Sequence, residues 1–409
     1  MPDILLADLA SPANPGDQAI FLGTLKLIRD CLPGSKVTVA TRGFSHHDVY
    51  ERLGCRVVPS YPNPEAIESD DCPAKFFRAA ETFAQPGPLR DAVREADLVF
   101  LAGGAYFYSC RRFFPGLTFL SHLTPVYWAK RFGKKVVCLP QSFGPFQSFP
   151  AQALFDRAVR RMDLVLFREN ISGDWLRRRY PALESRFHFM PDLAFSLESK
   201  DLMPGGDLRS PAEQSGKKRI GVTVRSWHEG QNALESYLDA LAGTLAWLMS
   251  DYGYEVSVIV QVQSRKKNEG DEWVSQRLLE KLGRLKPAAP VNLEVSRPYF
   301  DVPALCRLYR SCDFLIGMRL HSALLGFVLG VPALTAGYQH KAEGILESAG
   351  LRDLYLGTYS QLSAGGLQSA CKKVIGENVR WRAEIEKSLG RARREIRRVF
   401  DKNVVPLIQ

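Results

Sequence analysis

Residues 3–42 read DILLADLASPANPGDQAIFLGTLKLIRDCLPGSKVTVATR. An apolar run is followed by a turn rich in Pro, Asn and Gly, then a helical stretch (17–32), then a second apolar run (35–42). The same order recurs at ADLVFLAGG (96–104), KKVVCLPQS (134–142) and MDLVLFREN (162–170), with helical patterns such as PAQALFDRAVRR (150–161) between. Strands alternating with helices argue for parallel sheets covered by helices on both faces.

The pattern breaks once. Residues 197–219, LESKDLMPGGDLRSPAEQSGKKR, are polar and rich in Gly and Pro, as a linker is. It restarts with IGVTVRSW (220–227), a long helix from about Ala233 to Asp251, EVSVIVQV (255–262), a helix near 271–285, VNLEVSR (291–297), and the helix VPALCRLYRSC (302–312) leading into DFLIGM (313–318). The expected architecture is α/β, with two doubly wound domains facing a cleft. The first spans 1–197, a linker 198–218, the second 219–376, and a basic C-terminal helix 377–409. Residues 59–88, Pro-rich and polar, are expected to form a long loop. Ligands of doubly wound sheets bind beyond the carboxyl ends of the strands, so polar residues just after apolar runs are the candidates for function.

With 409 residues, 45% of them hydrophobic, the chain can build a core without disulfide staples. Its eight cysteines form no C-x-x-C pair, which argues against a zinc or redox motif, and several lie inside apolar runs. No apolar run reaches the ~18–20 residues of a membrane span, and MPDILLADLA has no basic n-region or cleavage site. A cytoplasmic protein with reduced thiols is expected. The net charge of +10 favours anionic partners: nucleic acid, an acidic membrane face or a phosphorylated substrate.

The first strand–helix turn carries Asn14, Gly16 and Asp17. Asp17 is a good helix cap and Gly16 permits a tight turn, so the turn is either a capped helix start or a substrate loop. Gly103 and Gly104 follow the run at 96–102, and Gln141 ends the run at 134–141. Two glycines let a ligand approach the backbone, or simply turn the chain. Arg225 ends VTVR and has two readings, an ion pair with Glu229 or a two-pronged grip on a ligand anion.

The stretch GMRLHSALLGFVLGVPALTAGYQHK (317–341) is apolar except where Arg319 and His321 interrupt it. If that piece is extended, both side chains point the same way. A helix would then begin at His321 or Ser322, and its amides would favour an anion. A lone histidine beside a core helix is ordinarily structural. Paired with an arginine at a helix start, it reads as a proton-transfer group beside a bound anion. Tyr338 and Lys341 follow the next strand at the same end. The C-terminal RWRAEIEKSLGRARREIRRVF (380–400) is helical and strongly basic, either a solvated face or a contact for anionic lipid headgroups. RRFFPGLTFL (111–120) also mixes cations with apolar residues.

Taken in order, NPGDQA, AGGAYF, QSFGP, FRENIS, PDLAF, GVTVR and the 317–341 stretch resemble the polysaccharide pyruvyl transferase family. The last is the most specific, with Arg319, His321, Tyr338 and Lys341 all in the family's pattern. The resemblance implies a two-domain GT-B-like fold. It implies transfer of the enolpyruvyl group of phosphoenolpyruvate onto two hydroxyls of a sugar, giving a cyclic pyruvate ketal and phosphate, in the assembly of cell-surface polysaccharide.

Phosphoenolpyruvate is then a co-substrate; no separate cofactor, metal or nucleic acid is implied. The acceptor is a sugar, free, nucleotide-linked or lipid-linked, the last consistent with contact at the inner face of an anionic membrane. His321 would be catalytic, and Arg225, Arg319, Ser322 and Lys341 would hold the donor. Asn14, Gly16, Asp17, Gly103, Gly104, Gln141, Arg168 and Tyr338 would line the cleft or meet the acceptor. GGAYFYS lacks the family's usual acidic residue, and QSFGP replaces Gln-Gly-x-Gly. Both departures fall on the acceptor side. The alternative is a glycosyltransferase of the same fold using a nucleotide sugar.

Overall fold

The computed structural model describes residues 1–9, 14–42, 47–60, 85–109, 117–204, 218–225, 231–263, 270–285, 291–295, 301–337 and 340–408. It divides into two compact units. The first comprises Met1–Pro12, Ile20–Leu193 and Arg394–Gln409; the second comprises Ala13–Ala19 and Ala194–Arg393.

The first unit is built on β1 (Asp3–Leu9), β2 (Lys36–Thr41), β3 (Arg56–Pro59), β4 (Leu98–Leu101), β5 (Lys135–Gln141), β6 (Leu164–Phe167) and β7 (Phe187–Phe189). These form a seven-stranded sheet in the order β3-β2-β1-β4-β5-β6-β7, with every pairing parallel. The central strands are buried almost from end to end, which is why they read as unbroken apolar runs. Phe107, Phe143 and Phe155 stack beneath them, with Trp175 and Tyr180 completing an aromatic layer.

The second unit holds β8 (Arg219–Thr223), β9 (Glu255–Val260), β10 (Val291–Val295), β11 (Phe314–Gly317), β12 (Ala333–Gly337) and β13 (Tyr355–Thr358). Their order is β10-β9-β8-β11-β12-β13, again all parallel. The strand order reverses between β1 and β4 in one sheet and between β8 and β11 in the other, the switch points where such sheets take ligands. The long helix after β8 runs Gln231–Tyr252 and the helix after β9 runs Glu272–Arg284, close to their expected limits. Of the expected linker, Ser199–Leu202 is helical, and 205–217 lie outside the described residues. So does most of the expected loop at 59–88, although Arg56–Pro59 is strand.

The basic C-terminal helix spans Asn378–Asn403. Trp381, Ile385, Leu389, Ala392, Ile396 and Val399 are buried along it at steps of three and four, with Phe400 buried beside the last, one apolar stripe. Arg382 donates to the Gly330 carbonyl at 2.9 Å, Arg393 to that of Leu197 at 2.6 Å and Arg397 to that of Asp30 at 3.2 Å. These three arginines thus brace the protein's own backbone. Phe113 and its neighbours in the 111–116 tract lie outside the described residues. Cys138, Cys306 and Cys371 are buried free thiols, held protonated by their burial. Among the described residues no helix is long and apolar enough to cross a membrane.

Candidate functional site

β8, β11 and β12 are neighbours, and their carboxyl ends open on one edge of the second sheet. Arg225 stands two residues past β8, half-buried. Arg319 stands two residues past β11, and Lys341 opens the helix His340–Ser348 after β12. With strands about 4.8 Å apart, three neighbouring ends span roughly 10 Å. Lys341 is only 8% exposed. A lysine that far from water is ordinarily there for an anionic partner.

The join from β11 to the next helix is tight. The Met318 amide donates to Thr223 O at 3.0 Å, extending the β8–β11 ladder by one bond. The helix begins at Leu320, with Arg319 in extended backbone (φ −93°, ψ 123°) as the residue before it. His321 is therefore the second residue of the helix and Ser322 the third. This corrects the extended reading: the two-residue spacing does not set Arg319 and His321 on one side of a strand. Ser322, fully buried, donates to the Arg319 carbonyl at 2.6 Å, so Thr223 is the donor in their 2.8 Å hydroxyl pair. Gly317 makes room for this pair, since a Cβ there would stand 2.5 Å from Ser322 Oγ.

Arg319 does not stand alone. Its Nε and Nη2 each donate to a carboxylate oxygen of Asp271 at 2.6 Å. Asp271 has no solvent exposure, and it also accepts the Val262 amide at 3.0 Å just beyond β9. Next to it, buried Tyr309 donates to Gln261 at 2.8 Å. Burial pushes that phenol well up, so it stays a neutral donor.

The first turn of helix Pro15–Cys31 belongs to this unit. Asn14 Oδ1 accepts the Gly16 amide at 3.0 Å, and its Nδ2 donates to Asp17 at 2.9 Å. Asn14, not Asp17, is therefore the cap, and Asp17 sits in the first turn where a carboxylate suits the helix dipole. Gly16 lies against His321: a Cβ added to it would be 2.6 Å from both Cγ and Nδ1 of the ring. Two motifs three hundred residues apart in sequence thus meet at the imidazole. Tyr338 lies outside the described residues.

A pattern for polysaccharide pyruvyl transferases matches residues 14–340, a span running from the Asn14 cap past Arg225, Arg319 and His321. The chain belongs to that family. A relative, the amylovoran biosynthesis protein AmsJ of Erwinia amylovora, is 24% identical over 274 residues, which is 64% of this chain and 62% of the relative's length. The fold is shared more widely. A putative UDP-N-acetylglucosamine 2-epimerase from Listeria monocytogenes superposes with a TM-score of 0.60 at 11% identity, covering 98% of this chain and 97% of that one. A glycosyltransferase from Rickettsia africae gives 0.56 at 12% identity, covering 100% and 95%. At such identities the likeness is one of fold, two Rossmann-like sheets.

This pyruvyl transferase family member carries a second polar edge, on its first sheet. Gly103 and Gly104 form the turn after β4, and their surroundings are the chain itself. A Cβ on Gly103 would meet Pro140 O at 3.1 Å, and Gly104 (φ +132°) packs against the Tyr106 ring. Gln141 is fully buried, donating to Ala102 O at 2.8 Å and accepting the Tyr106 amide at 3.3 Å. Arg168 donates to Ser142 at 3.0 Å and to Asp192 at 2.5 Å, with both charged groups almost sealed from solvent.

Sequence reasoning missed three carboxylates and a histidine here: Asp8, Asp192, Asp271 and His122. Asp8, at φ 70° where β1 bulges away from β2, bonds to Nδ1 of buried His122. The Tyr106 ring stacks on that imidazole at 5.0 Å. Burial pushes His122 below the ordinary histidine value, against the pull of Asp8. The signal was present: a charge inside DILLADL and a histidine inside LTFLSHLTPVYW each need a buried partner.

Proposed function

We propose that the chain moves the enolpyruvyl group of phosphoenolpyruvate onto two hydroxyls of a sugar, releasing phosphate and leaving a cyclic ketal. One observation carries this reading: Arg225, Arg319 and Lys341 follow adjacent strand ends at the switch point of one sheet, with His321 in the first turn of the helix beside them. Two guanidinium groups and an ammonium suit a ligand bearing both a carboxylate and a phosphate. The positive end of helix Leu320–Val328 adds to that attraction.

The proton balance gives His321 its task. Each hydroxyl that attacks the donor's C2 loses a proton. One proton ends on C3, turning the methylene into a methyl group. The C2–O bond to phosphorus breaks with its electron pair on the departing phosphate, which takes up the other proton. An imidazole that accepts a proton and returns it serves both directions of this traffic. The arginines and the helix end stabilise the leaving phosphate. The likeness to a protein of amylovoran biosynthesis supports a polysaccharide setting.

The fold is shared with a putative UDP-N-acetylglucosamine 2-epimerase and a glycosyltransferase, so the alternative to be tested is a nucleotide-sugar transferase. Thermal shift separates the two. Millimolar phosphoenolpyruvate should raise the melting temperature and UDP should not; stabilisation by UDP alone would overturn the proposal. An acceptor screen with phosphoenolpyruvate, read by phosphate release and product mass, then identifies the sugar.

A further inference from the structure

We propose that Asp271 is a positioning residue for donor binding: it grips one edge of the Arg319 guanidinium and so aims the opposite edge at the donor's anionic group. The inference rests on the reading of Arg319 as a donor ligand given above.

The geometry is that of an aiming device. An arginine on a flexible stem gains little by meeting an anion if it must first be immobilised, because ordering a long side chain costs free energy at the moment of binding. Here that cost is met in advance. Asp271 takes Nε and Nη2 in a parallel fork at 2.6 Å each, which fixes the guanidinium plane as well as its place.

The carboxylate is itself immobile. It has no solvent exposure, it accepts the Val262 amide at 3.0 Å, and its own amide donates to Val262 O at 2.8 Å. It opens the helix Glu272–Arg284 without capping it, since its side chain makes no cap bond. Its hydrogen-bonding capacity is directed at Arg319 and Val262 instead. The backbone of Arg319 is held independently, through the Ser322 hydroxyl on its carbonyl. Stem and head are thus pinned from two sides, by groups 48 residues and three residues away in sequence.

Two other roles are physically possible for such a fork, and the test distinguishes them. Asp271 could be a purely structural partner, or it could compete with the donor for Arg319. Asp271→Asn removes the charge with little change of shape. Melting curves of the full-length variant without ligand report folding. Half-saturation by phosphoenolpyruvate, from melting shift and from phosphate release with a competent acceptor, reports donor binding.

Positioning predicts half-saturation raised about tenfold and turnover at saturation within a few-fold of wild type, in a variant that still melts in one cooperative transition above the assay temperature. It further predicts that adding Asp271→Asn to Arg319→Lys costs no second factor of ten, because the lysine has no fork to aim. Should Asp271→Asn fail to fold, Asp271→Glu keeps the charge and moves the carboxylate by one methylene, and the same loss of donor affinity is expected. Unchanged half-saturation in a folded variant overturns the inference in favour of a structural pair. Lowered half-saturation overturns it in favour of competition. A wild-type protein that shows no response to phosphoenolpyruvate overturns instead the functional reading beneath it.

Discussion

The two sheets end in differently organised edges. At the first, buried polar groups are matched with one another under cover: Asp8 with His122, Arg168 with Asp192, and Gln141 with backbone on both sides. At the second, Arg225, Arg319 and Lys341 gather on adjacent strand ends, and Asp271 is forked onto one of them. A closed hydrogen-bonded network holds a shape; cationic side chains gathered on adjacent strand ends suit an anionic ligand. The same doubly wound architecture has thus produced one edge that reads as framework and one that reads as a binding site. Substitutions should separate them, altering stability at the first and function at the second.

The largest expected contrast is between two histidines. His321→Ala should cut turnover by roughly 10²–10⁴, the usual worth of acid–base catalysis, with an unchanged melting temperature. His122→Ala should instead lower the melting temperature, since it strips a buried carboxylate of its partner. Phosphate release and differential scanning fluorimetry on both variants make the test. If the two exchange roles, the contrast between the edges collapses.

Gly16→Ala sharpens the same contrast from the far side of the ring. Its Cβ would overlap His321 at 2.6 Å, so the imidazole must move. A displacement of about 1 Å at a reacting group costs on the order of 100-fold in rate. Turnover within a few-fold of wild type would show that the ring has no fixed task.

Arg168→Ala tests the framework edge. It removes the guanidinium from a carboxylate that is 1% exposed. Breaking a buried pair from one side costs about 3–5 kcal/mol. Urea denaturation should show that loss, and a change under 1 kcal/mol would mean the first edge is not the rigid frame described here.

How much of this was legible follows physical lines. The central strands announced themselves because burial on both faces demands unbroken apolar runs. The strands that escaped notice, Arg56–Pro59, Phe187–Phe189 and Tyr355–Thr358, are all edge strands, short and paired on one side. Edge strands need no such run. Arg319 and His321 were visible because charge is conspicuous in an apolar stretch. Their geometry was not, because the helix starts one residue after the arginine, a boundary that local pattern leaves open. Asp271 was invisible for another reason. Its partner lies 48 residues on, and only the β9–β8–β11 order brings them together.

The smallest expected effect concerns pH, and its sign can be worked out. Burial lowers the His122 imidazole below its usual value, with Arg42 adding to the lowering, while Asp8 pulls it up. In the unfolded chain a histidine takes a proton near pH 6.5. Above that pH both states are neutral there, and the residue contributes no pH dependence. Below it, the unfolded chain binds a proton that the fold resists, so stability falls as the solution is acidified. His188, also lowered chiefly by burial, acts in the same direction but is less deeply placed. The unfolding free energy measured by urea at pH 7.5 and at pH 5.5 should therefore drop between the two in the wild type. In His122→Gln the drop should be smaller, even though the variant starts from a lower value, because a deeply buried imidazole that resists protonation is gone. An undiminished drop would mean that His122 accepts its proton in the folded state, and that the first edge can change its charge.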